Sequence, residues 1–215
     1  MFSVLLSVYH KENPEFLQCS IDSICNQTLN PDEIVLVKDG PLTDSLERVI
    51  QESCEKYPNK IIIVPLRKNN GLGIALNEGL KHCTHEIVAR MDTDDIAKPE
   101  RFEKELAILE KYHNIDVVGS WVDEFIDSPK NIIATRKVPE AQKQIRQYSK
   151  FRTPVNHPSV VFRKKAVIAA GGYQDIKLYE DYDLWVRMMQ NGALFYNIQE
   201  SLLLFRITEN TYKRR

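Results

Sequence analysis

Residues 86–95 read Glu-Ile-Val-Ala-Arg-Met-Asp-Thr-Asp-Asp, which puts three carboxylates, Asp92, Asp94 and Asp95, into four positions behind a short apolar run. Like charges this close repel, and at the end of a buried strand that repulsion calls for a compensating cation. Oxygen donors suit a hard divalent ion, Mg²⁺ or Mn²⁺, and Mg²⁺ is commonly held by one or two carboxylates plus substrate phosphates. The chemistry suggested is a metal–diphosphate site. A plainer reading is a solvated acidic turn that caps a helix starting near Pro99. A calcium loop is excluded. Counted from Asp92, Glu103 falls at the twelfth position, but Ile96 and Ala97 stand at the fifth and sixth, where a ligand and glycine are needed. A second acidic pair, Glu180-Asp181, offers either a general base or favourable charge at the first turn of a helix.

Those side chains need a frame, and the chain before them supplies one. Residues 2–9, 33–38, 61–66 and 87–89 are apolar, β-branched runs of the kind buried on both faces of a sheet. Between them, Phe16, Leu17, Ile21 and Ile24, then Leu46, Val49 and Ile50 in 44–56, then Leu72, Ala75, Leu76 and Leu80 in 72–82 are spaced for helices. This alternation predicts an α/β fold with a Rossmann-like, mainly parallel central sheet flanked by helices. Ligands of such sheets bind beyond the carboxyl ends of the strands. The polar residues gather there: Glu12 after the first strand, Asp39 after the second, Lys68 and Asn69 after the third, Asp92 and Asp94 after the fourth. Asp39-Gly40 also reads as a turn, and Gly71 and Gly73 as a helix entry.

Further on, residues 101–112 predict an amphipathic helix and 117–122 a strand. Residues 127–147 lose periodicity and predict an irregular excursion. A strand is expected over 156–162, a loop at Gly171-Gly172-Tyr173, a helix over 180–190, and two short apolar runs at 193–198 and 201–205.

Composition is ordinary for a globular chain: 43% apolar and 27% charged residues, with a formal net charge of −1 that gives no sign of a nucleic-acid binder. Cys19, Cys25, Cys54 and Cys83 show no metal-ligand spacing and read as reduced thiols of a cytosolic protein. No apolar run approaches the roughly 18 residues of a membrane span, and no signal peptide is expected. The basic stretch 211–215 reads as a surface tail, a contact for anionic lipid, or the cut edge of a longer chain.

Taken together, residues 3–9, Val37-Lys38-Asp39-Gly40, Asn69-Asn70-Gly71-Leu72-Gly73 with Ala75-Leu76-Asn77, residues 89–95, His157-Pro158-Ser159, Gly171-Gly172-Tyr173 and residues 180–185 resemble a family 2 glycosyltransferase of the GT-A fold. The resemblance implies one domain over 1–215, with a nucleotide-binding half (1–95) and an acceptor-binding half (96–215) carrying a smaller β element. It implies a nucleoside diphosphate sugar donor, most often a UDP-sugar, with Mn²⁺ or Mg²⁺ on Asp94 and Asp92. Tyr9 and Glu12 would hold base and ribose, and Asp39 the uracil. Asn69 and Gly71 would lie near the nucleotide, Arg90 against the diphosphate or base, and Asp92 nearer the ribose, with Thr93 also in the nucleotide-sugar site. Asp181, paired with Glu180, matches the family's base, and inversion would follow from a single displacement.

On the same footing, His157 and Trp185 would line the acceptor site, although each also reads as a structural residue. Arg206 would contact phosphate, and Thr208 stands where many relatives carry His. The implied setting is bacterial polysaccharide, O-antigen or capsule synthesis on a lipid-linked acceptor, in the cytoplasm or at the inner face of the membrane. A sugar-nucleotide pyrophosphorylase is the nearest rival, but residues 9–13 lack its glycine-rich loop. A non-catalytic nucleotide-sugar module is the rival from another class.

Overall fold

The computed structural model describes residues 1–208, so the basic stretch 211–215 lies outside the described residues. The first half alternates as the periodicity predicts. Its elements are β1 (Ser3–Val8), α1 (Pro14–Cys25), β2 (Glu33–Lys38), α2 (Asp44–Lys56), β3 (Ile61–Pro65), α3 (Leu72–His82) and β4 (Ile87–Arg90). The four strands are parallel in the order β3-β2-β1-β4. Helix starts are set locally: Asn13 accepts from the Glu15 N–H with Pro14 at the first helical position, and Thr43 accepts from Leu46 N–H.

The second half continues the same sheet. It comprises β5 (Ile96–Ala97), α4 (Arg101–Lys111), β6 (Val117–Phe125), β7 (Ile132–Arg136), α5 (Gln142–Tyr148), a 3₁₀ turn (His157–Ser159), β8 (Val161–Arg163), α6 (Lys164–Ala169), α7 (Glu180–Gln190) and β9 (Phe195–Arg206). β8 joins β4 antiparallel, β6 follows β8, and β9 runs parallel to β6. The carboxyl ends of β1, β2, β4, β6 and β9 therefore share one edge, where the acidic stretch lies.

Three expectations need correction. Residues 127–147 are not irregular throughout: β7 pairs with β6, and α5 follows. The strand expected over 156–162 is shortened to β8, because Pro158 lies in a 3₁₀ turn. The two closing runs are one strand, β9, whose register against β6 shifts near Trp121.

Side chains alternate across the sheet into two apolar cores. Leu5, Val35, Val37 and Val88 join Phe162, Leu184, Trp185 and Phe195 on one face. Phe2, Val4, Leu6, Ile34 and Leu36 join Phe102, Val118 and Leu203 on the other. Each core draws on residues before and after position 95.

At the β2 end, Gly40 takes φ +89°, and a Cβ there would lie 2.6 Å from the Asn69 backbone nitrogen. Gly192 has φ +88° with nothing within 4 Å of such a Cβ. Gly192→Ala should therefore show only the left-handed backbone penalty, about 1 kcal/mol. Gly40→Ala should lose about 1–3 kcal/mol more through the clash. Urea unfolding of both variants checks the difference, and equal losses would mean that the loops do not meet.

Candidate active site

The turn after β4 brings carboxylate oxygens of Asp92, Asp94 and Asp95 within 4.8 Å of one another. None of the three caps α4, which starts after Glu100 with no side-chain cap bond, so the capping reading does not hold. Asp92 and Asp94 are half-buried and Asp95 is wholly buried. Burial, with the charges of Asp92 and Glu12, pushes Asp94 up to about 7. Burial followed by Asp94 and Asp92 raises Asp95 as well. A divalent cation would supply the positive charge that protons otherwise supply here. Asp95 Oδ2 is buried without a hydrogen-bond partner, and the three donors are all oxygen, so the cluster fits Mg²⁺ or Mn²⁺. The expected pair Asp94 and Asp92 is thus joined by Asp95, whose role the Asp-x-Asp spacing alone did not single out.

Three arginines brace this turn. Arg90, the last residue of β4, is buried and donates to Asp92 Oδ1. Burial disfavours its charge, but the Asp92 carboxylate bonded to it more than offsets this, with Asp181 adding to the effect. Its Nε and Nη1 have no hydrogen-bond partner. Arg206, at the end of β9, donates its backbone N–H to Asp95 Oδ1 (2.9 Å) and its Nε to the Asp94 carbonyl (2.8 Å). Its guanidinium lies over Phe16 (3.8 Å) and Phe125 (4.6 Å). Arg101, on α4, donates to the Arg90 carbonyl (2.8 Å) and pairs with Glu105 (3.1 Å), both wholly buried.

The other strand ends converge on the same edge. Glu12 follows β1; burial raises its carboxyl, opposed by bonds from Asn13 N–H and the Thr93 hydroxyl. Thr93 is 3% exposed and bonds Glu12 and the Ser7 carbonyl, so it ties the turn to β1 rather than facing a nucleotide as expected. Tyr9 is half-buried beside His10. Asp39 accepts from Asn70 N–H (2.7 Å) and Gly71 N–H (3.0 Å), and Asn69 donates to its carbonyl. Asp39 therefore shapes the loop that opens α3, with Gly71 at φ +89°.

Glu180 and Asp181 occupy the first turn of α7, where the helix dipole favours acids. Burial raises the Asp181 carboxyl, with the Tyr182 N–H and Arg90 opposing. His157 is buried, bonded through Nε2 to the Tyr173 hydroxyl (3.0 Å), and burial followed by Arg90 lowers its pKa, keeping it neutral. Trp185 is wholly buried, edge-on to His157 and Phe195. It offers no face to a sugar, which corrects the acceptor-side expectation for it.

A mainly parallel α/β sheet with an acidic, oxygen-donor cluster at its carboxyl edge has that cluster where ligands of open α/β sheets bind. The family description "Glycosyl transferase family 2" matches residues 3–170, and the chain belongs to that family. The match ends before Asp181. The chain is 45% identical over 215 residues to the amylovoran biosynthesis glycosyltransferase AmsE of Erwinia amylovora, covering 100% of this chain and 79% of that protein. It is 42% identical over 214 residues to the Escherichia coli UDP-Gal:alpha-D-GlcNAc-diphosphoundecaprenol beta-1,3-galactosyltransferase, covering 100% and 77%.

The GT-A fold is shared with S. aureus TarS 1-349 in complex with UDP-GlcNAc (TM-score 0.75, 18% identity, 99% of this chain, 64% of that one). It is also shared with the mannosyltransferase PcManGT of Pyrobaculum calidifontis in complex with GDP-Man and Mn²⁺ (TM-score 0.73, 17% identity, 98% and 58%). The chain thus spans less than two thirds of these solved chains.

Because Arg101 and Glu105 support the last carbonyl of β4 from a dry interior, removing one partner should cost more than removing both. Glu105→Leu is expected to lose about 3–5 kcal/mol. Arg101→Leu/Glu105→Leu should lose clearly less than that single variant, as read by urea unfolding. A double variant less stable than Glu105→Leu would overturn this account of the brace.

Proposed function

We propose that the chain is an inverting, divalent-metal-dependent glycosyltransferase that moves a sugar from a UDP-sugar to a hydroxyl of a lipid-linked saccharide in bacterial polysaccharide, O-antigen or capsule synthesis. The observation that carries this reading is the cluster of Asp92, Asp94 and Asp95 oxygens within 4.8 Å of one another at the carboxyl edge of the sheet, with the buried Arg90 donating to Asp92. Glu180 and Asp181 stand in the first turn of α7.

In this reading residues 1–95 serve the nucleotide and 96–215 the acceptor. Asp94 and Asp92, with Asp95 behind them, would hold Mn²⁺ or Mg²⁺, which as a Lewis acid stabilises charge on a leaving diphosphate. Tyr9, Glu12, Asp39, Asn69 and Gly71 line the strand ends where a nucleotide would lie. Arg90 and Arg206 supply positive charge toward the phosphates. Asp181, with Glu180 beside it, accepts the proton of the attacking hydroxyl, and one displacement inverts the anomeric centre. His157 shapes the acceptor side from beneath. The E. coli relative's name specifies UDP-Gal and a diphosphoundecaprenol-linked GlcNAc, which favours uridine over guanosine. On this reading the enzyme works in the cytoplasm and meets its lipid-linked acceptor at the inner face of the membrane. No helix of the described residues is long and apolar enough to cross a membrane.

Calorimetric titration with UDP, GDP and ADP, in Mn²⁺ and then EDTA, tests the donor and the metal together. Metal-dependent preference for UDP is expected; preference for GDP would change the donor class, and no binding would sink the reading. Asp94→Ala should weaken UDP binding in Mn²⁺ at least tenfold. Asp181→Asn should bind UDP as the parent does, while transfer falls about 10²–10⁴-fold, the usual worth of a general base.

The pH dependence follows from the same base. Asp181 acts when ionised and burial raises its pKa, so kcat/KM should rise with pH through a value above the ordinary 3.8. With Mn²⁺ saturating, so that the Asp94 carboxylate is kept ionised, that acid limb should be missing in Asp181→Asn. Undiminished transfer by this variant would remove Asp181 as base.

A further inference from the structure

The Asn77 and Gly-Gly-Tyr segments meet, although nothing in the proposed chemistry uses them. Asn77 lies on α3, one turn after Gly73, so the two share a face of that helix. The Asn77 side chain accepts from Tyr173 N–H (2.8 Å) through Oδ1 and donates through Nδ2 to the Tyr173 carbonyl. One carboxamide thus holds both backbone groups of one residue. Gly172, at φ +67°, makes room for it: a Cβ there would lie 2.6 Å from Asn77 Oδ1. A Cβ on Gly73 would lie 2.8 Å from the Gln174 carbonyl and 3.4 Å from Glu180 Cβ. The α3 face therefore touches both ends of the segment that leads into α7.

The same turn is gripped from the other side. Arg187 of α7 pairs with Asp183 and donates to the carbonyls of Ala170 and Gly172. The Tyr173 ring is buried with its hydroxyl on His157, whose ring meets Trp185 of α7. At its other end, α3 is fixed by Asp39, which takes the Asn70 and Gly71 N–H groups at the end of β2. One short helix thus connects the edge that would hold the nucleotide to the turn that carries Asp181.

We infer that Asn77 is a positioning residue: by clamping the Tyr173 backbone against α3 it sets where Asp181 stands relative to the sugar donor. This rests on the reading of Asp181 as base. The Asn77 carboxamide is taken up by the Tyr173 backbone, so its loss should spare donor binding while misplacing the base. Positioning errors of about 1 Å can lower rates roughly 100-fold.

The test uses the full chain and the variants Asn77→Ala, Gly172→Ala and the double variant. UDP with Mn²⁺ is the binding probe. UDP-galactose and UDP-GlcNAc with a GlcNAc-diphosphate lipid are the transfer probes. Asn77→Ala should lower kcat at least tenfold, with donor KM and UDP affinity within about twofold of the parent. Hydrogen exchange should quicken over residues 172–182 and stay unchanged over 86–95. Gly172→Ala, which pushes on the clamp from the opposite side, should lower kcat in the parent but much less in the Asn77→Ala background, since contacting residues do not act additively.

An unchanged kcat in Asn77→Ala would overturn the inference. So would losses of UDP binding and exchange protection across the whole chain, which would mark Asn77 as general scaffold. A parent chain that binds UDP in none of these assays would refute the proposed activity instead. Exchange over 172–182 would then still decide the clamp: faster in Asn77→Ala supports it, unchanged overturns it.

Discussion

Three carboxylates held at the end of a buried strand are electrostatically unfavourable, and much of the surrounding structure counters that repulsion. Arg90 donates to Asp92 from the last position of β4. Arg206 reaches Asp95 and the Asp94 carbonyl from the end of β9. Arg101 holds the Arg90 carbonyl from α4. Each arginine comes from a different element, so the acidic turn is fixed only when β4, β9 and α4 are packed together. Even so, Asp94 and Asp95 keep raised pKa values, and one oxygen of Asp95 remains without a partner. The protein arms position the carboxylates but leave a deficit of positive charge, which is the condition a divalent ion would satisfy.

That arrangement explains why the sheet has its mixed topology. A parallel β3-β2-β1-β4 set alone would present its carboxyl ends with nothing opposite them. β8 enters antiparallel beside β4, and β6 and β9 then run in the same direction as β4. The result carries Phe125 and Arg206 to the same edge as Asp94. β5, only Ile96–Ala97, pairs with β9 and leads the chain from the acidic turn to α4.

How much of this could be read in the residues depends on contrast. Strands covered on both faces, such as β1 and β2, read as unbroken apolar runs, and their helices as clean stripes. The polar residues at the strand ends were legible because apolar runs frame them. β7 was not, since every residue from Ile132 to Thr135 is exposed and a two-sided exposed strand has no alternation to detect. α5 has only seven residues, too few for a periodic stripe. β9 looked like two runs because Gln199 and Glu200 are exposed where its register shifts against β6. The site shows the same limit: Asp92 and Asp94 stand out by spacing, whereas the role of Thr93 depends on Glu12, 81 positions away.

The long-range partners also separate residues that look alike in sequence. His157 and Trp185 carry side chains suited to a sugar, yet both are buried and pack against each other. Asn77 carries an amide that reads as one more polar position on a helix, yet it bonds both backbone groups of Tyr173. A buried aromatic pair resists movement through close packing, and a double backbone bond fixes orientation as well as distance. Orientation is what a base requires, because proton transfer depends on its oxygen meeting the attacking hydroxyl at hydrogen-bond distance. The residues that set this geometry therefore need not face the cleft. They need to be rigid, and they need to tie the first turn of α7 to the helix that opens beside Asp39.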